Sequence, residues 1–490
     1  MTPAVAARRL LLLAIDAHRD DPALARRLHD QLRRLDEPLR VAIAGKVKAG
    51  KSTLLNALVG EQVAPTDAGE CTRVVTWYRD SETPRITLHP HAGSARSLPV
   101  RRHDGALMID LGATPAQECA RLVVDWPAQS LRTTTLIDTP GMASTSAAVS
   151  QRTVDFLDPD DGGPTEADAV VYLMRHVHAR DAAFLEAFRD RDVRTASVNA
   201  VAVLSRADEV GGGRVDAMFS ARGIAARYRA DPAVRGLCQN VVAVAGLLAE
   251  TGRTLRHAEH TALAALARAP REALEAQLMS VDRFLRATDA GVSREVRQRL
   301  LDRFGLFGIR LSTSLHRQGA DTPATLASEL VARSGLRELE QVLHTQFTER
   351  RDVLKARSAL LAVDGVLRAG GVTGPRMTAL AREIEKMRGA HAFTELRLLG
   401  TLRSGAVRVP QADAAEAERL LGDAGTAAAA RLGLPGEEAT PEVLRQEAFA
   451  ALERWQRHAV NPMLARDSAQ ACRAVVRSCE GILAGLPGLR

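Results

Sequence analysis

The clearest chemistry in the sequence lies in eight consecutive residues, Gly45-Lys46-Val47-Lys48-Ala49-Gly50-Lys51-Ser52, followed by Thr53. The pattern G-x-x-x-x-G-K-S sits between an apolar run, Leu39 to Ala44, and a helical run, Thr53 to Val59. A strand, a glycine loop and a helix in that order form a phosphate cradle, or P-loop. Glycines let backbone N–H groups close around a β-phosphate, Lys51 neutralises the β and γ oxygens, and the Ser52 hydroxyl is placed to ligate Mg²⁺. Composition sharpens this reading. The chain holds five lysines against sixty-one arginines, and three of the five (Lys46, Lys48, Lys51) fall in this loop. A compact ammonium pointing at phosphate is a task for lysine, which a guanidinium fork does not replace.

Three further segments complete a nucleotide site in outline. Pro65 to Arg73 is polar and turn-rich and leads into a strand-like run, Val74 to Tyr78. A threonine there can ligate Mg²⁺ and hold an attacking water through its backbone, which makes the segment a nucleotide-sensing switch. Thr72 is preferred to Thr66. The run Thr133 to Ile137 ends in Asp138-Thr139-Pro140-Gly141, about ninety residues beyond the loop. Asp138 is expected in the metal shell, and the Gly141 N–H faces the γ-phosphate. A third run, Ala200 to Leu204, ends in Ser205-Arg206-Ala207-Asp208. The Asp208 carboxylate can accept both N–H groups of the guanine Watson–Crick edge, with the Arg206 side chain lying across the base. The site residues expected to bind nucleotide are therefore residues 45 to 53, Asp138, Gly141, Ser205, Arg206 and Asp208. Ser52, Thr72 and Asp138 are expected to hold the metal.

The elements that must position these residues are strands alternating with helices. Further strand-like runs occur at Arg85 to His89, Arg121 to Asp125, Ala169 to Met174 and Asn240 to Ala245, and the loop at Gly246 could close over the base. The expected fold is an α/β P-loop domain, a mixed and mostly parallel sheet flanked by helices, joined to an elongated α-helical bundle. Residues 3 to 35 read as two helices broken near Asp20-Asp21-Pro22, with an apolar stripe through Leu24, Leu28, Leu32 and Leu35 that needs a partner from the far C-terminal end. Residues 250 to 333 read as a helical insertion. Its Arg303-Phe304-Gly305-Leu306-Phe307 stretch is a glycine hinge that packs its phenylalanines inward, in preference to a lipid wedge. Ser334 is expected to cap a helix that closes the nucleotide domain. The tail continues in helices to 485, with Pro462 kinking the last. The turns near Gly370 to Pro375 and Gly400 to Pro410 could touch anionic lipid, with Arg403 or Arg408 at the headgroups, or be plain solvated loops.

The totals agree with this division. At 490 residues the chain exceeds one ordinary core. Aromatics are 3% while Ala, Leu and Arg dominate, which favours helix. A net charge of +7 is too modest to choose between lipid and nucleic acid. Cys71, Cys119, Cys238, Cys472 and Cys479 are scattered without metal-ligand spacing and read as reduced packing residues of a cytosolic protein. Arg8-Arg9 before Leu10 to Ile15 superficially suggests an export signal, but Asp16 ends the apolar run at once. No window approaches the roughly eighteen apolar residues of a spanning helix, so membrane contact is expected to be peripheral.

Together the motifs resemble the dynamin superfamily of large GTPases, in its bacterial dynamin-like branch. Pro65 and Thr72-Arg73 are spaced as in the dynamin switch, Asp138-Thr139-Pro140-Gly141-Met142 matches D-x-P-G-M, and Ser205-Arg206-Ala207-Asp208 stands where T-K-x-D is expected. The loop and helical tail look closest to actinobacterial members, including the isoniazid-inducible dynamin-like proteins. The resemblance implies a GTP-hydrolysing enzyme with Mg²⁺, GTP as substrate and GDP as product. It implies residues 1–36 as helices joining the bundle, 37–347 as a dynamin-type GTPase domain with its insertion at about 250–333, and 348–490 as a neck or trunk with a membrane-facing tip. It further implies assembly with itself or with a paralogous partner, and remodelling of an anionic membrane from the cytoplasmic face, without DNA. Two departures matter. Dynamins carry glutamine and serine at the loop positions of Val47 and Lys48, where they help place a monovalent cation. Lys48 is therefore expected to supply transition-state charge in cis, beside Lys51, Thr72 and Gly141 as the catalytic set. Two other classes remain open: a nucleotide-gated scaffold with little hydrolysis, and an Era-like RNA-associated GTPase, although the tail carries no GXXG clamp or RNP aromatic stretch.

Overall fold

The computed structural model describes residues 2–66, 70–141, 166–175, 185, 199–288, 291–369, 375–436 and 439–487. Its strands are β1 (Leu39–Gly45), β2 (Thr76–Asp80), β3 (Arg85–Pro90), β4 (Arg96–Leu98), β5 (Arg101–His103), β6 (Ala106–Met108), β7 (Cys119–Trp126), β8 (Thr134–Asp138), β9 (Ala169–Met174), β10 (Ala200–Ser205) and β11 (Val241–Val244). Nine form one sheet in the order β11-β10-β9-β1-β8-β2-β7-β3-β4, and β5 and β6 make a separate hairpin. Strands β11, β10, β9, β1 and β8 run parallel, while β2 pairs antiparallel with β8 and parallel with β7. The α/β reading with a mixed, mostly parallel sheet therefore holds. The sequence reading passed over β4 to β6, three residues each, too short to show an alternating pattern.

The parallel strands are Val- and Ala-rich because both of their faces are covered. Alternate residues go to opposite sides. Ala42, Ala44, Tyr172, Ala202 and Leu204 join a core with helices Ala217–Ala230, His257–Arg268 and Arg294–Arg317. Val41, Ile43, Leu173, Val203 and Val244 join one with helices Lys51–Val59 and Leu336–Leu343. Residues 250 to 333 thus pack directly on the sheet. Helix Arg294–Arg317 breaks its regular geometry at Gly305 (φ 61°, ψ 174°), and Phe304 and Phe307 are buried in the core beneath it. That is the hinge arrangement. Helix Leu336–Leu343 has Gly335 as its N-cap, and Ser334 instead ends the preceding helix while its Oγ accepts from the Leu336 N–H.

The remaining helices form two cores, where a single bundle was expected. In the first, Ala7, Leu10, Leu11 and Leu28 pack on Ala356, Leu360 and Val363 of helix Arg351–Ala369 and on Leu380 and Ile384 of helix Pro375–Arg388. The partner of the N-terminal stripe is thus these middle helices rather than the end of the chain. In the second, helices His391–Arg403, Ala414–Leu420, Pro441–Ala459 and Arg466–Gly485 surround Trp455, Cys472 and Val475. Pro462 does not kink a helix; it lies in the turn between two separate helices. It lacks an N–H and disfavours helical backbone at Asn461 before it. Arg403 is also corrected. It is buried, donating to Gln239 before β11 and to Asp423, which removes it from any headgroup contact. The other proposed tip, residues 370 to 374, lies outside the described residues.

The first core is tied to the sheet by a buried polar junction. Asp168, just before β9, accepts Arg34 Nη2 at 3.0 Å and Ser358 Oγ at 2.9 Å through Oδ1, and the Arg40 N–H at 3.0 Å through Oδ2. Lys355 donates to the carbonyls of Arg34 and Glu37. No helix among the described residues is long and apolar enough to cross a membrane.

Candidate nucleotide-binding site

The carboxyl ends of β1, β8, β10 and β11 meet at one edge of the sheet, the edge at which α/β proteins bind ligands. β1 ends at Gly45, where φ is 151° and a Cβ would lie 2.6 Å from the Leu173 carbonyl oxygen. The chain then folds over as the Ala49 N–H donates to the Lys46 carbonyl at 3.1 Å, and enters helix Lys51–Val59 at Gly50 (φ 91°) with no side-chain cap. The first N–H groups of that helix are left for an anion. Lys51 Nζ curls back to the Lys46 carbonyl at 3.5 Å.

Ser52 Oγ donates to Asp138 Oδ2 at 2.7 Å, which joins loop and β8 at the metal position. Asp138 Oδ1 is buried and has no hydrogen-bond partner among the described residues. A carboxylate oxygen left open beside a serine hydroxyl is a hard-oxygen donor set, and it fits Mg²⁺, which takes few protein ligands and fills its shell with phosphate and water. Burial holds the Lys51 ammonium below its ordinary value, with Asp138 acting against it. Burial likewise pushes Asp138 up, with Lys51 and the Ser52 hydrogen bond pulling it down. Phosphate beside Lys51 and a cation beside Asp138 would each favour the charged form that burial disfavours.

The turn after β8 is pinned to β1, because the Thr139 N–H and Oγ1 both donate to the Ile43 carbonyl, at 3.2 and 3.0 Å. Gly141 then passes so close to the loop that a Cβ would lie 2.7 Å from Val47 Cγ2 and 2.8 Å from Val47 Cα. Thr72 sits in the short helical turn Glu70–Arg73. β2 begins three residues later at Thr76, which pairs with Asp138. Topology therefore brings Thr72 to the same edge. Residues 67 to 69 of the switch, and Met142, lie outside the described residues.

At the base end, Ser205 Oγ donates to the Met174 carbonyl at 3.2 Å. A cavity of about 110 Å³ lies between Gly50, Thr53, Ser205, Asp208, Gly246 and Leu247. Asp208 is half-buried, and burial pushes its carboxyl up. Arg206 differs from expectation. With φ 52° it turns toward the phosphate loop, donating to the Lys48 carbonyl through Nε at 3.2 Å and Nη2 at 2.9 Å and pairing with Glu209 at 2.6 Å. Lys48 itself has φ 61°, which turns its carbonyl to Arg206. Its ammonium is exposed and makes no hydrogen bond or ion pair among the described residues. Glu209 and Leu247 were missed in the sequence. An acid three residues beyond Arg206 was the available signal for the first.

A phosphate loop, a D-T-P-G turn and an S-R-A-D turn on the carboxyl edge of one mixed sheet define a P-loop nucleotide-binding fold. A model described as the dynamin family matches residues 41–179. Isoniazid-induced protein IniC of Mycobacterium tuberculosis is 42% identical over 486 residues, 97% of this chain and 97% of its own. The chain belongs to the dynamin family, with IniC as a relative along almost its whole length. A bacterial dynamin-like protein of Nostoc punctiforme is 31% identical over 119 residues, 22% of this chain and 17% of that one. A solved structure of an oligomerised bacterial dynamin pair, described as sensing and tethering membranes, spans 97% of this chain and 72% of its own at 12% identity and a TM-score of 0.37.

Proposed function

We propose that the protein binds and hydrolyses GTP with Mg²⁺ and couples the cycle to assembly and to remodelling of the cytoplasmic membrane from its inner face. The observation that carries the nucleotide part is the Ser52–Asp138 bond at 2.7 Å beside the open, buried Asp138 Oδ1. Ser52 and Asp138, with Thr72 from the switch, would hold Mg²⁺. Bound there, it neutralises β and γ phosphate charge. Lys51 binds the same phosphates from the other side, and Asp208 reads the guanine edge across the cavity. Gly141 and Thr72 orient water through their backbones, since no glutamine or histidine directly follows Gly141. Catalysis is then positioning plus electrostatics, slow until assembly orders the switch. The membrane part and the partner, a second copy or a paralogue, rest on membership of the dynamin family. A second reading, a nucleotide-gated scaffold with little hydrolysis, draws on the Arg206 clasp of the Lys48 carbonyl, which ties base turn to phosphate loop.

Phosphate release from GTP and from ATP, measured with and without anionic liposomes that are pelleted from the same samples, tests both. GTP-selective release with protein in the pellet is expected. Nucleotide-dependent assembly without phosphate release favours the scaffold, and turnover without pelleting removes the membrane reading.

A further inference from the structure

One fully buried polar side chain near the site has no part in the reading above. Asn56 stands one turn beyond Ser52 on helix Lys51–Val59, so the two share a face. Its amide spends its hydrogen bonds on the chain that leaves the helix. Oδ1 accepts the N–H of Val63 at 3.0 Å and of Ala64 at 2.7 Å, and Nδ2 donates to the Ala64 carbonyl at 3.0 Å. The strap from Gly60 to Ala64 is thereby folded back against the helix that carries the metal hydroxyl. It leads directly into Pro65 and Thr66, the start of the switch.

Behind the amide lies a second buried group. Glu250 Oε1 is 3.5 Å from Asn56 Nδ2, accepts Gln62 Nε2 at 2.7 Å, and lies 3.7 Å from Arg303. Gln62 in turn accepts Arg256 at 2.8 Å. Glu250 belongs to helix Gly246–Arg253, whose first residues wall the base cavity. Asn56 thus joins the phosphate helix, the wall of the base cavity and the root of the switch. An asparagine suits this place because it offers acceptor and donor together. A leucine of similar size would take away the partner of the Ala64 N–H and carbonyl and leave the Val63 N–H with the Glu61 carbonyl alone.

We propose that Asn56 is a positioning residue for phosphate cleavage: its amide locks the Gly60–Ala64 strap to the phosphate helix, so that the chain enters the switch at Pro65 and Thr66 from a point fixed relative to Ser52. This rests on the hydrolase reading above. Loss of the lock should lower turnover and leave nucleotide capture largely intact, because the loop and Lys51 do not depend on the strap and Glu250, on the helix that walls the base cavity, keeps Arg303.

The test compares the full chain with Asn56→Ala and with Leu55→Ala, which removes a buried apolar side chain from the same helix and leaves the strap bonds in place. Three quantities are read: kcat for GTP, affinity for GDP, and amide hydrogen exchange. Asn56→Ala should lose about tenfold to a hundredfold in kcat, keep GDP affinity within about threefold, and expose amides 63 and 64 while those of strand β1 stay protected. Leu55→Ala should lower the melting temperature and keep kcat per folded molecule. The proposal is overturned if Asn56→Ala turns over like the parent, if strap exchange is unchanged, if GDP affinity falls as far as kcat, or if Leu55→Ala loses kcat equally. A parent that releases no phosphate overturns the hydrolase reading, and the proposal with it.

Discussion

At the residue scale Lys48 stands out by its backbone, one of three non-glycine residues with positive φ among the described residues. Its left-handed backbone is held by Arg206 through the Lys48 carbonyl, and its side chain is exposed. Backbone and charge can therefore be separated by mutation. Lys48→Gly keeps the φ 61° geometry at no steric cost and removes the ammonium. If Lys48 supplies transition-state charge, this variant should lose roughly tenfold or more in kcat with little change in GDP affinity. Potassium should then restore part of the rate, while the parent is indifferent to potassium. A parent that already requires potassium, with Lys48→Gly hydrolysing as fast, would sink the assignment.

At the scale of elements the closest approach is between the phosphate loop and the turn after β8. Gly141→Ala places a methyl group against Val47, and the obstruction is only partly the Val47 side chain, because Val47 Cα and N lie 2.8 and 3.1 Å from the added atom. Turnover should fall about tenfold or more as the turn withdraws from the γ-phosphate position. Val47→Ala in the same chain should restore a minor part of it. Full restoration would mean that backbone approach is unimportant. These elements were legible in the sequence because glycine, lysine and aspartate at fixed spacings dictate local backbone and charge. Thr139 pinning the turn to Ile43 is the same kind of local chemistry. What escaped were features set by distant partners. The Arg206 guanidinium turns to a carbonyl 158 residues away in sequence, and no local pattern announces that. The Pro462 turn was legible as a disturbance, but whether proline bends or ends a helix depends on what packs around it.

At the scale of the whole molecule, amphipathic stripes showed that residues 3 to 35 needed a partner and did not show which one. The partners are helices Arg351–Ala369 and Pro375–Arg388, and the Asp168 junction, where Arg34, Arg40 and Ser358 converge on one carboxylate, ties them to the sheet. Its pH behaviour is testable. Burial, with help from Arg351 and Arg34 and against the pull of Asp168 and Glu37, brings the Lys355 ammonium from 10.5 down to about 8. Between those values the unfolded chain holds the proton and the folded chain does not, so this group adds stability as pH rises from about 8 to 10.5. Cys238 acts in the opposite sense, since burial pushes its thiol up to about 12. The two are separated by difference. Urea midpoints of the parent minus those of Lys355→Met should rise between pH 8 and 10, by roughly 1–3 kcal/mol once converted to free energy. A flat difference would mean that Lys355 keeps its charge throughout.

The pairing of the first helices with residues 356 to 384 also bears on how the protein is made. Leu10 and Leu11 are fully buried against side chains that a ribosome adds some 350 positions later. At about 5–20 residues per second, that leaves an apolar helix without its partner for tens of seconds during synthesis. The sheet, whose strands end at Val244, can form in that interval. The N-terminal helices cannot take their final places until helix Arg351–Ala369 has been made.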